Sequence, residues 1–201
     1  RRCVVPLQSH PRPSCPPVSG SAVPVGAGRP PVLRAMPLLA FDTLPPSARV
    51  WVFGSLRPLD DSEAARLLAE TDRFLEKWNA HGHPLYSGRE WRNDRFLTIA
   101  VDQSTAGASG CSIDGLYRSL RALEKVLGTE LLAGGHVFYR TPTAAGDEIR
   151  AVTRQEFIAQ AAEGRVNQDT TVFDLSVETL GDWRERFETP ARASWHASLV
   201  R

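Results

Sequence analysis

The chain has 201 residues, 24 Lys and Arg against 23 Asp and Glu for a formal charge of +1, and 42% apolar residues. No run of about 18 apolar residues occurs, which excludes a membrane-spanning helix. A charge this close to zero gives no electrostatic case for nucleic acid or an anionic membrane surface.

Composition divides the chain before any element is drawn. Residues 1–35 hold five Arg, eight of the 15 Pro, no Asp or Glu and no Phe, Trp or Tyr. A segment so poor in apolar surface cannot offset its ordering entropy, so a disordered Pro/Arg-rich extension is expected. The one Met, Met36, stands at its end and reads as the biological start, with residues 1–35 upstream of it. The longest apolar candidate for a secretory signal, Cys3-Val4-Val5-Pro6-Leu7, is too short and holds a proline, and the prolines oppose the amphipathic helix of an organelle transit peptide, which stands with a genuine disordered tail as the alternative to an upstream over-extension. Residues 36–201 then form a single α+β domain of net charge −4 with one cysteine, Cys111, which suits a reducing cytoplasm.

The elements follow in chain order. Residues 49–54 (Arg-Val-Trp-Val-Phe-Gly) read as a buried strand. Asp60 and Glu63 have capping-box spacing, and apolar residues from Ala64 to Trp78 recur at helical spacing, with an end expected at His81-Gly82. Two extended segments come next, 85–91 and 94–102. In the second, Leu97, Ile99 and Val101 take one face, and Phe96, Thr98 and Ala100 the other. Residues 103–110 read as a loop, Ile113 to Leu127 as a second helix stopped by Gly128, and 136–140 as a strand. This order is a ferredoxin-like βαββαβ core, which predicts a four-stranded antiparallel sheet with both helices on one face. A C-terminal αβ elaboration completes it: a strand at 148–152 that extends a hairpin with 136–140, a helix opened by the Thr153–Glu156 capping box, a strand at 170–177, and a last helix from Thr179 stopped before Pro190.

The motif inventory is mostly negative. There is no Gly-x-x-x-x-Gly-Lys-Ser/Thr phosphate loop, no dinucleotide fingerprint, no Gly-x-Ser-x-Gly, no His-Glu-x-x-His and no Cys-x-x-Cys, so no cofactor is expected. His81 and His83 have a spacing that can chelate a metal from a strand, but no Cys or carboxylate partner lies nearby, and no metal site is assigned.

Three strings carry a family resemblance: Trp78-Asn79-Ala80-His81-Gly82-His83-Pro84-Leu85; Arg95-Phe96-Leu97 with Asp102; and Ala108-Ser109-Gly110-Cys111-Ser112-Ile113-Asp114. Together they resemble a small bacterial family, Bacteroidetes-type, whose uncharacterised members often bear the label "ABC transporter ATPase". The likeness runs from about Leu44 to His196. It implies family boundaries and no mechanism, and the missing phosphate loop speaks against nucleotide hydrolysis.

One constellation carries chemistry. Cys111 stands where a loop becomes a helix, with Ser109, Ser112 or Asp114 as the N-cap, Ser112 being preferred because Ile113 opens the apolar pattern. Free N–H groups at such a start favour a thiolate or a bound anion. The candidate catalytic set is Cys111, His81 and Asp114, with His196 as an alternative base and Asp102 as an alternative orienter. The candidate ligand-binding set is Ser109, Gly110, Ser112, Arg95 and Asp102. Against both stands the habit of a lone cysteine to be a small buried hydrophobe, which is the favoured reading. The function expected is non-catalytic binding of a small anionic ligand or a protein partner. The alternative is a cysteine-dependent enzyme.

Overall fold

The computed structural model describes residues 38–104, 106–144 and 146–200. The extension expected at residues 1–35 and the start expected at Met36 lie outside the described residues.

The first half of the chain supplies β1 (Arg49–Gly54), α1 (Asp61–Leu75), β2 (Asn79–Ala80), β3 (His83–Pro84), β4 (Tyr86–Arg92), β5 (Phe96–Asp102) and α2 (Gly110–Leu127). The second supplies β6 (His136–Thr143), β7 (Gly146–Thr153), α3 (Arg154–Ala162), β8 (Thr171–Phe173), α4 (Leu180–Arg186) and β9 (Glu188–Pro190). The described chain is mixed α and β, with four α-helices and three antiparallel sheets.

Strands β1, β5 and β4 form a sheet in that order, with Val52 opposite Thr98 and Arg89 opposite Ile99. Its two faces separate as the alternation predicts. Trp51, Phe53, Leu97, Ile99 and Val101 pack against Leu67 and Leu75 of α1 and Leu116, Leu120, Leu123 and Leu127 of α2. Val50, Val52, Phe96 and Ala100 pack the opposite way, onto Phe138 and Phe173 of the second sheet. That sheet runs β7-β6-β8-β9. Its far face, Val137, Tyr139 and Val172, is covered by Phe157 of α3 and by Val166, Ala191 and Val200. The result is four layers: two helices, a sheet, a second sheet, then α3 with the C-terminal segment. Each fully buried Phe or Leu contributes roughly 1.5–3 kcal/mol.

The expected fourth strand of a ferredoxin-like sheet is not in the first sheet. The strand order of the first three is the expected one, but β6 pairs with β7 and β8 instead of β1. The physical reason is that β6 is apolar on both faces, Val137 and Tyr139 against Phe138, so it must be covered on both sides. Among the described residues, the other edge of β1 meets single bridges, Gly54 with Leu132 and Arg49 with Thr179. Gly54 is required where the sheets meet: a Cβ there would lie 2.7 Å from Phe138 Cζ.

Two boundaries also move. Helix α1 ends at Leu75, where Lys77 N–H to Phe74 O and Trp78 N–H to Leu75 O tighten its last turn. His81 and Gly82, at φ 52° and 81°, are then the two central residues of the β2–β3 hairpin, the positive-φ pair of a type I′ turn, and not a helix end. The strand expected at 170–177 stops at Phe173, because Asp174 turns the chain: its Oδ1 accepts from Ser176 N at 2.9 Å and Ser176 Oγ at 2.5 Å.

Candidate functional site

A cavity of about 480 Å³ opens where the end of β1, the segment before β6, the start of α3 and the C-terminal segment converge. Its floor is apolar, with Phe53, Leu131 and Phe173 all buried. Glu124 of α2 holds one wall by accepting from the backbone N–H groups of Leu131 and Leu132 at 2.8 and 2.9 Å. Tyr117 of α2, 36% exposed and edge-on to Phe53 at 5.6 Å, stands at the rim.

The polar side of the lining is His136, Arg154, Ser176, Trp195 and His196. Arg154 is exposed at the first position of α3, after the Thr153 cap, with its guanidinium 4.8 Å above the Trp195 ring. Trp195 donates its indole N–H to Asp174 Oδ1 at 3.1 Å and stacks on His196 at 3.8 Å. His196 is 1% exposed, and its Nδ1 lies 2.8 Å from Ser194 Oγ. Burial pushes its pKa down to about 4, the Arg154 charge adds to the effect and Asp174 opposes it, so at neutral pH the imidazole is uncharged. His136 Nδ1 is buried without a hydrogen-bond partner among the described residues. Among the described residues of this lining, Arg154 is the one with a fixed charge, and none is a carboxylate. A second cavity of about 350 Å³ shares Ser176 and Trp195 and carries the acids Asp174, Glu178 and Asp182.

The residues singled out from sequence lie elsewhere, apart from His196. Ser109, not Ser112, caps α2, its Oγ accepting from Ser112 N at 3.3 Å. Ser112 is buried, donates its hydroxyl to Ser109 O at 2.8 Å, and accepts from Trp78 Nε1 at 2.9 Å through its carbonyl. These polar groups are therefore used within the fold. Gly110 opens the helix and Asp114 is exposed on its first turns. Cys111 is a free, exposed cysteine, which corrects the expectation of a buried one. Its position in the first turn of α2 points it away from the packed stripe of Leu116, Leu120 and Leu123.

His81 is exposed on the β2–β3 turn, a hairpin that Trp78 ties to the start of α2. No hydrogen bond or ring contact joins His81 to Cys111 among the described residues. Asp102 accepts from Ser104 N at 2.9 Å. Arg95, a candidate ligand-binding residue by sequence, is instead buried and donates to the carbonyls of Leu56 at 2.8 Å and Ser55 at 3.4 Å, and burial lowers its pKa. No group of three or more His, Cys, Asp or Glu among the described residues could hold a metal ion, His81 and His83 included. No helix among them is long and apolar enough to cross a membrane.

Sequence reasoning missed Tyr117, His136, Arg154 and Ser176. One signal was present. An arginine in the first turn of a helix opposes the helix dipole, so Arg154 directly after a capping Thr needs a reason outside its own helix. Compared with known protein families, with curated proteins and with solved structures, the chain matches none.

Proposed function

We propose that this protein is a non-catalytic binding domain that holds a small anionic ligand in the cavity between β1, β6, α3 and the C-terminal segment. One observation carries the reading: the lining has a guanidinium in no ion pair among the described residues, two imidazoles and an apolar floor. Arg154 forms no ion pair among the described residues and is already oriented over Trp195, so an incoming anion displaces no internal partner. A volume of about 480 Å³ falls in the range of small-molecule sites. Adenosine triphosphate is a poor fit to the same chemistry, because a polyphosphate needs a cradle of backbone N–H groups with a lysine, and this chain has no such loop. A cytoplasmic setting and membership of the resembled family belong to the same reading.

The test is thermal unfolding of the full chain with a panel of small anions. A ligand at 100 times its dissociation constant adds about 2.7 kcal/mol, a rise of several degrees in Tm. Arg154→Glu should abolish the rise while leaving the unliganded midpoint within about 2 °C, as befits an exposed position. No stabilisation by any anion would refute the reading.

The exposure of Cys111 in the first turn of α2 favours a second reading, a cysteine-dependent enzyme in which His81, on the neighbouring hairpin, serves as base. It requires His81 to swing toward the sulfur, and labelling kinetics decide it.

A further inference from the structure

We propose that the ligand of the cavity is a monocarboxylate with a compact apolar body, its carboxylate at Arg154 and its body against Phe53, Leu131 and Leu175. The inference rests on the reading of the cavity as an anion site and narrows it to one chemical class.

Charge sets the valence. Arg154 supplies one formal positive charge, and burial keeps His196 uncharged at neutral pH. One carboxylate matches the single guanidinium of the lining. A carboxylate also fits the planar guanidinium as a bidentate acceptor. Position sets the orientation. Arg154 and Tyr117 are exposed at the rim, while Phe53, Leu131 and Phe173 are buried at the floor. A ligand therefore enters body first and leaves its charged end at the rim, where desolvation costs least. The floor selects the body: Phe53, Phe173 and the side chains of Leu131 and Leu175 offer rings and methyl groups and no hydrogen-bonding side chain.

The experiment is nuclear magnetic resonance titration of the full chain at pH 7 with benzoate, benzyl alcohol and inorganic phosphate, in the wild type and in Arg154→Gln. The expected result is saturable benzoate binding that shifts the Trp195 indole and His136 signals. Benzyl alcohol should bind at least tenfold more weakly, and Arg154→Gln should erase that difference while still admitting the ring. Benzoate binding no better than benzyl alcohol would overturn the carboxylate assignment. Preference for phosphate would overturn it too, while leaving the broader anion site standing. Failure of every anion to shift these signals would remove both.

Discussion

Acidification offers a direct probe of the C-terminal wall of the cavity. His196 is 1% exposed, sealed by Trp195 stacked at 3.8 Å and by Phe157 edge-on at 6.5 Å, with Ser194 Oγ on Nδ1. Arg154 repels the imidazolium form and Asp174 attracts it, and desolvation outweighs both. The folded pKa of about 4 lies below the ordinary 6.5, so between these values the unfolded chain binds the proton more readily. Stability from the neutral ring is complete above pH 6.5 and is lost as the pH falls toward 4. Linkage with these two values gives a loss of about 2 kcal/mol between pH 7.5 and 5, and about 3 kcal/mol when titration is complete. The carboxylates held down by capping or ion pairs, Asp60, Glu63, Glu156 and Asp182, act in a lower window: their ordinary values are 3.8 and 4.5, and their contribution is lost only as the pH falls below these. Urea unfolding at pH 7.5, 6.5, 5.75 and 5 therefore isolates His196. The wild type should lose about 2 kcal/mol across the series, and His196→Asn, whatever its absolute stability, should lose under 0.5 kcal/mol. Equal losses in both proteins would refute the argument that a buried neutral imidazole underlies the acid sensitivity.

Other expectations follow from packing and exposure. Gly54→Ala should cost about 1–3 kcal/mol in urea unfolding, because the new methyl would sit 2.7 Å from Phe138 Cζ and 3.2 Å from Leu175 Cδ2; a neutral result would mean the two sheets slide apart freely at that point. Cys111→Ser should change stability by less than about 0.5 kcal/mol, as for other exposed sites. Iodoacetamide at pH 7, with peptide mapping to separate Cys111 from Cys3 and Cys15, should label Cys111 in the native chain within a few-fold of its rate in urea, and a native rate tenfold higher would promote the enzyme reading. Calorimetry with Mg-ATP should show no saturable binding at micromolar concentration, and a clear isotherm there would restore the nucleotide label of the resembled family.

Local signals in this chain were legible and long-range ones were not. The capping boxes Asp60–Glu63 and Thr153–Glu156 and the Thr179 cap open their helices as their spacing says, because each is a contact between residues three apart. The two faces of β5 sort correctly because strand period alone decides them. The hairpin of β6 with β7 was legible, because two extended segments adjacent in the chain pair locally, but the other neighbour of β6 was not: an apolar strand pairs equally well with either edge, and the choice depended on how residues far along the chain cover its second face. The end of α1 was misread because His81-Gly82 serves a positive-φ helix cap and a type I′ turn alike. The cavity was hidden for a related reason. Phe53, His136, Arg154 and His196 lie on four separate segments, and no spacing links them. The cysteine string drew attention because it is compact in sequence, yet its serines are occupied in closing their own helix.

The C-terminal cover on the second sheet has a consequence for the order in which the molecule can be completed. The helix-facing side of the first sheet draws its strands and both helices from residues 49–127, so it can close while later residues are still being made. The outer side of the second sheet cannot. Val137, Tyr139 and Val172 stay open until Ala191 and Val200 arrive, and Gln168 anchors that late segment by donating to the carbonyls of Ala197 and Val200. During synthesis the chain thus passes through a stage with one apolar layer finished and another uncovered, the condition under which nascent proteins associate with one another or engage chaperones. Truncation within residues 191–200 would make that stage permanent.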